Sequence, residues 1–181
     1  MPTGVRPRRS RAGYVATVSA DEFELFFLAN RDDVIRLLTV TTGNRERAVD
    51  ATQEAFIRAH ARWDVVRTYD SPGAWVRRIA INVSNDEFKS EQRRHKRERT
   101  VHAASSPSPA DAVVGDAFAK ALLERLPRRQ REAAALYYVD DRTISEIASI
   151  LDTSEGAVKS NLAGARDRLR TVIADDQLDR D

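Results

Sequence analysis

Apolar side chains recur along most of this chain at intervals of three and four, the spacing of helices buried on one side. Phe23, Phe26, Phe27, Val34, Leu37 and Leu38 form the first stripe, and Thr42-Gly43-Asn44 interrupts it as a turn. Ala48, Thr52, Ala55, Phe56, Ala59 and Trp63 line one face of a second long helix. A loop from Val66 to Asp70 follows. Ser71 then offers an N-cap, and Pro72 is the residue best tolerated at a first helical position. Trp75, Ile79 and Val83 continue in steps of four, in a helix expected to run on into a basic stretch.

The second part of the chain is helical too. Phe118, Leu122 and Leu126 form a stripe before Pro127, which is expected at the first position of the next helix. Thr143-Ile144-Ser145-Glu146 has the spacing of a capping box, with Ile144, Ile147, Ala148 and Leu151 as the buried face behind it. Asp152-Thr153-Ser154 turns the chain, and a last helix buries Val158, Leu162, Ala165 and Leu169. Between the two parts, residues 103–115 read AASSPSPADAVVG, without Lys or Arg and with two prolines. Such a segment buries too little apolar surface to fix itself and is a linker. The pattern predicts an all-α protein of two small helical domains joined by a flexible linker. The divisions are a basic tail (residues 1–20), a first domain (21–100), the linker (101–115), a second domain (116–173) and an acidic tail (174–181).

Composition narrows the chemistry. The 181 residues are 41% hydrophobic and 32% charged, with no cysteine, which excludes disulfides, thiolate metal sites and a thiol nucleophile. His60, His95 and His102 lack metal-ligand spacing. There is no glycine-rich phosphate loop, no G-x-S-x-G and no H-E-x-x-H. No catalytic residue, cofactor, metal or small-molecule substrate is therefore expected. No apolar run approaches the roughly 20 residues of a membrane span, and Met1 to Ala20 lacks the apolar core of a secretion signal, so a cytoplasmic protein without membrane insertion is expected.

The net charge of +2 conceals an asymmetry. Asp21 to Val66 holds six Lys/Arg against nine Asp/Glu, whereas Arg67 to Thr100 holds nine against five. Lys89 to Arg99 alone carries six basic residues and two acidic ones, suited to tracking phosphates. Upstream, Tyr69 and Trp75 lie beside Arg67, Arg77 and Arg78, a mixture able to stack on and hold unpaired bases, although Trp75 also falls on the apolar stripe and is expected in the core. In the second domain, a short capped helix, a tight turn and a second helix make a helix-turn-helix pattern. The second helix, Ser154 to Arg170, exposes Lys159, Ser160, Ala163, Arg166 and Arg170. Its N-terminus offers free N–H groups and a positive dipole end.

Four motifs in order carry a family resemblance. Gly43-Asn44-Arg45 leads to Asp50-Ala51-Thr52-Gln53-Glu54-Ala55-Phe56. Ala74-Trp75-Val76-Arg77-Arg78-Ile79-Ala80-Ile81-Asn82 follows, then Leu126-Pro127-Arg128-Arg129-Gln130-Arg131-Glu132, and finally Ile144 to Arg170. Together they resemble the extracytoplasmic-function sigma factors, and Asp70 to Arg78 is especially like the actinobacterial members. The resemblance implies a first domain called sigma two and a second called sigma four, which together recruit core RNA polymerase to promoter DNA. It also implies, as is common in the class, an anti-sigma factor as inhibitor.

Residue by residue, the resemblance assigns Asp50, Gln53, Glu54, Phe56 and Ile57 to the helix that docks on the coiled coil of the largest polymerase subunit. Ala51 stands where leucine is usual. The acidic balance of this half fits a face that binds protein and avoids DNA. The loop Val66 to Pro72 matches the one that receives a flipped non-template base, and Asn82 matches a promoter-facing asparagine. The −10 element falls to Arg67, Tyr69, Arg77, Arg78, Asn82, Asn85, Lys89, Arg93 and Arg94. The −35 element falls to Ser154, Glu155, Gly156, Lys159, Ser160, Asn161 and Arg166. Asn161 occupies a position where arginine is frequent. Gly164 replaces a larger residue, at a cost of ~1 kcal/mol in helix stability. Two other readings compete: a dimeric helix-turn-helix transcription regulator with a sensory first domain, and an enzyme. The first domain has no ligand-pocket or phospho-acceptor pattern to favour the regulator, and the enzyme lacks any catalytic motif.

Overall fold

The computed structural model describes the backbone of residues 11–98 and 120–178, and the side chains of residues 21–87, 90 and 120–174. The regular elements among them are helices: α1 (Arg11–Thr42), α2 (Arg45–Ala61), α3 (Trp63–Val66), α4 (Pro72–Glu98), a short helical stretch at 120–124, α5 (Arg128–Tyr138), α6 (Ile144–Leu151) and α7 (Glu155–Leu178). The linker expected at 101–115 and Phe118 lie outside the described residues, as do the side chains of Lys89, Arg93 and Arg94. α1 begins at Arg11, inside the stretch assigned above to the basic tail, and α7 runs to Leu178, inside the acidic one. Among the described residues no helix is long and apolar enough to cross a membrane.

α1, α2 and α4 pack as the first bundle. Gly43 makes the corner between α1 and α2 at φ +74°, a left-handed conformation that glycine adopts without strain. Asn44 then caps α2, its side-chain oxygen accepting from the Arg47 N–H at 3.0 Å. The buried face of α2 is almost all alanine, with Ala48, Ala51, Ala55 and Ala59 closed to solvent, so the flanking helices approach closely. Thr52 is buried among them because its hydroxyl donates to the Ala48 carbonyl at 2.6 Å. Phe23, Phe26 and Phe27 of α1 meet Phe56 and Trp63 edge-on or tilted, with ring centroids 4.9–5.9 Å apart, and seal one end. Trp63 is buried as its stripe implies, but α2 stops before it. Arg62 leaves helical geometry at φ −129°, ψ 24°, and Trp63 opens α3 instead. At the head of α4 the Ala74 N–H donates to Ser71 Oγ at 3.2 Å, the expected cap.

α5, α6 and α7 form the second bundle around Ala134, Leu136, Ile147, Ile150, Val158 and Leu162. Pro127 is the cap residue of α5 rather than its first helical residue: its ψ of 146° is extended, while its carbonyl accepts from Arg131 N–H at 2.9 Å. The capping box at Thr143 and Glu146 is complete, with the Thr143 N–H donating to Glu146 Oε2 at 2.8 Å and the Glu146 N–H to Thr143 Oγ1 at 3.3 Å. Asp152 ends α6 in the left-handed region at φ 53°, which lets the Thr153 N–H donate back to the Ala148 carbonyl at 3.0 Å. Gly164 lies under the end of the Gln130 side chain: a Cβ there would be 2.7 Å from Gln130 Nε2, so a larger residue would displace that amide. The second bundle is docked on the first, with α6 and α5 against α4 and α1, an arrangement the sequence pattern did not reveal.

Candidate nucleic-acid interface

Three surfaces hold the residues singled out above. On α2, Asp50, Gln53, Glu54 and Ile57 recur at i, i+3, i+4 and i+7 and so form one stripe opposite the alanine face. Glu54 accepts from Arg58 Nε at 2.8 Å. Ile57 is 57% exposed, a branched apolar side chain set among acids without a partner to cover it in the described chain. Phe56 is not part of this stripe. It is 3% exposed and braces α2 from behind against Phe26 and Phe27.

On α4, the side chains divide. Asn82 is exposed, whereas Arg77 is almost fully buried, at 1% exposure. The Arg77 guanidinium donates from Nε to Asp140 Oδ2 at 2.6 Å and from Nη2 to Asp140 Oδ1 at 3.0 Å, a bidentate pair across the two bundles. Its Nη1 donates to Asn30 Oδ1 at 3.1 Å and to the Gly73 carbonyl at 3.2 Å. Asp33 stands at 4.0 Å. Gly73 leaves room for this arrangement, since a Cβ there would lie 3.0 Å from Asn30 Oδ1 and 3.1 Å from Arg77 Nη1. Arg78 donates to Asp152 at 2.6 Å, and Asn85 Nδ2 to Glu132 Oε1 at 2.9 Å. Arg67 contacts Glu22 at 3.5 Å on the surface.

The loop before α4 borders a cleft of about 420 Å³ whose walls include Tyr69, Asp70, Trp75 and Arg78 from the first bundle and Ser149 from the second. Trp75 is half-buried, neither wholly core nor free, with its neighbours lining this cleft. Two aromatic rings beside a cation and an acid form a place where a planar polar ring can stack and be held.

On α7, Ser154, Glu155, Gly156, Lys159, Ser160 and Arg166 are exposed, while Asn161 is half-buried. Ser154 caps the helix, its Oγ accepting from the Ala157 N–H at 3.2 Å, and Lys159 pairs with Glu155 at 3.6 Å. The packed side of α7 fixes this outer face against α5 and α6, as a helix that reads duplex DNA requires. Between α5 and α6, Asp140 also accepts from Arg142 Nε at 2.8 Å. Partial burial works against the charge of Arg142, but Asp140 and Glu146 outweigh it and raise its pKa. The Thr143 N–H and then its hydroxyl hold the Glu146 carboxylate below its ordinary value of 4.5, with Arg142 adding to the effect.

Comparison with known proteins places the chain in a family. Residues 26–94 match the family model described as Sigma-70 region 2, and residues 119–169 match Sigma-70, region 4. The ECF RNA polymerase sigma factor SigM of Mycobacterium tuberculosis is 32% identical over 176 residues, covering 94% of this chain and 88% of its own. This chain belongs to the ECF RNA polymerase sigma factors. SigW of Bacillus subtilis, of the same description, is 28% identical over 80% of this chain and 85% of its own. Among solved structures, the sigma factor RpoE in complex with the anti-sigma factor NepR from Bartonella quintana shares the fold at a TM-score of 0.71 and 22% identity, over 84% of this chain and 97% of that one. CnrH in complex with the cytosolic domain of CnrY does so at 0.61 and 21%, over 89% and 95%.

In this sigma factor the first bundle is therefore region 2 and the second region 4. It directs promoter-specific transcription initiation, and the dimeric regulator is not favoured. The residues that sequence reasoning missed are the acids of region 4 that meet α4: Glu132, Asp140 and Asp152. Their sequence surroundings mark a motif position, an interhelical turn and a helix end. Nothing local shows that each faces a helix more than 40 residues away.

Proposed function

We propose that this sigma factor docks on core RNA polymerase through the outer stripe of α2, opens and reads the −10 element with α4 and the loop before it, and reads the −35 duplex with α7. The observation that supports this best is the different chemistry of the three surfaces. The α2 stripe is acidic with one apolar anchor, which repels DNA and suits a protein partner. The α4 side combines arginines, amides and an aromatic cleft, suited to phosphates and unpaired bases. The outer face of α7 carries Lys159 and a capped N-terminus, suited to a major groove.

Each surface acts by binding, and the bond-forming chemistry belongs to the polymerase. A cytoplasmic location, where RNA polymerase works, goes with this reading. The solved sigma factor RpoE bound to the anti-sigma factor NepR supports a similar inhibitor for this chain. Run-off transcription with core polymerase on a promoter library is the test. Expected are core-dependent starts that share two upstream elements at a fixed spacing. Nanomolar, sequence-specific duplex binding by the chain alone, with no core-dependent transcription, would instead establish the regulator.

A further inference from the structure

The first two turns of α7 present Ser154, Glu155, Gly156, Lys159 and Ser160 to solvent, and Glu155 is the only acid among residues 154–162. A carboxylate on a surface that meets a polyanion needs a reason. Stability does not supply one, because its pair with Lys159, at 3.6 Å and with the side chains 53% and 61% exposed, strengthens a helix little. What the pair fixes is an order of groups. Glu155 Oε2 is an acceptor standing beside the Lys159 ammonium, which only donates. The i, i+4 spacing with the glutamate first is the favoured one, and the start of α7 steadies the negative charge further.

In the major groove only cytosine N4 and adenine N6 donate, and each lies next to an acceptor of its paired base, guanine O6 or thymine O4. An acceptor beside a donor on the protein can meet either pair, so the flanking groups decide. Adenine N6 is flanked by N7, an acceptor that repels a carboxylate, and thymine O4 by a methyl group that offers an ammonium nothing. Cytosine N4 has no acceptor on its outer side, whereas guanine O6 is followed by N7, a second acceptor for the ammonium. The order on α7 therefore matches a C·G pair with the cytosine on the glutamate side.

We propose that Glu155 reads a cytosine of the −35 element by accepting from its N4, while Lys159 donates to O6 and N7 of the paired guanine. The inference rests on the assignment of α7 to the −35 duplex. The neighbours of Glu155 leave it this role. Ser154 Oγ is engaged by the Ala157 N–H at 3.2 Å, and a Cβ on Gly156 would meet only Ser154 Oγ at 3.9 Å, so bare backbone and open space adjoin the carboxylate.

Holoenzyme assembled from the full chain and core polymerase is given a promoter library randomised over both upstream elements, and the bound fragments are sequenced. Wild type is expected to select C·G at one −35 position. Glu155→Ala should reduce that preference by about tenfold, and Lys159→Ala should weaken it at the same position. Glu155→Gln should move the position to A·T, since an amide meets adenine N6 and N7 together. Preferences in the −10 element should not change.

An acid that merely repels DNA gives a different result: Glu155→Ala then tightens binding to every sequence by the same factor, which overturns the proposal. A wild-type profile without a C·G preference in the −35 element overturns it too. If neither Glu155 variant alters the profile but Ser160→Ala does, Glu155 reads no base and α7 still reads the duplex. A −35 profile left intact by the Glu155, Lys159 and Ser160 variants alike removes α7 from that element.

Discussion

Ile57 offers the sharpest test of the proposed polymerase-docking surface, because its contribution can be worked out before any measurement. The side chain is 57% exposed on the acidic stripe of α2, so just over half of it is available to a partner. Full burial of a branched aliphatic side chain is worth about 1.5–3 kcal/mol, and the available share is about 1–1.7 kcal/mol, or roughly a five- to twentyfold change in Kd. Ile57→Ala should weaken binding to core polymerase by that factor, measured by competition against labelled wild-type protein. Its melting temperature should stay within a few degrees of wild type, since exposed substitutions away from special features usually change stability by less than about 0.5 kcal/mol. Asp50→Arg, on the same stripe, should also weaken core binding with normal circular dichroism. Phe56→Ala is the contrasting control: removing a packed ring from the aromatic cluster should cost about 3–5 kcal/mol of stability. Wild-type affinity in both Ile57→Ala and Asp50→Arg, with folding intact, would remove α2 from the polymerase interface.

On a pre-melted template, Asn82→Ala should lose discrimination among −10 variants, by about 1–3 kcal/mol for a good amide contact, whereas Lys159→Ala should weaken binding to all of them equally and lower the salt slope by about one. The opposite pattern would reverse the mapping of the two regions onto the promoter. Gly156→Ala meets only Ser154 Oγ at 3.9 Å, so it should stabilise α7 by up to about 1 kcal/mol. If duplex DNA approaches this turn closely, the added methyl should lower affinity for the −35 duplex in a gel-shift titration. Unchanged affinity would place the DNA elsewhere. The Glu146 pKa is depressed by Thr143 and Arg142, so its stabilising effect is full above the ordinary carboxylate range and is lost as pH falls through the lowered value. Thermal melts should therefore show Glu146→Gln less stable than wild type at neutral pH and the gap closing in acid; a gap independent of pH would refute the ionic share of this cap.

The sequence revealed what local geometry determines. The alanine and aromatic face of α2, the Ser71 cap and the Thr143–Glu146 box depend on residues within one or two turns of each other, and all stand as read. Trp63 kept its burial but not its helix, because a stripe reports which side is apolar and cannot report the backbone break at Arg62. Pro127 moved by one residue, since both cap and first helical position suit its fixed φ. The largest gap lies at Arg77. Its charge and its neighbours point to nucleic acid, while the partner it has in this structure is Asp140, 63 residues away. A side chain's charge is written in the sequence, but the company it keeps is decided by how the bundles dock. Gly164 is similar: propensity alone counts it as a loss, and its neighbour Gln130 on α5 lies 34 residues away.

The placement of the two tryptophans makes the chain its own spectroscopic probe. Trp63 sits 5.3 Å from Phe23 and 4.9 Å from Phe26, within the aromatic seal of region 2, and its emission should stay blue whatever region 4 does. Trp75 borders a cleft whose opposite wall comes from α6. If region 4 separates from region 2, water reaches the indole and its emission shifts to the red. Removing one indole at a time separates a steady internal reference from a moving signal, with no dye attached.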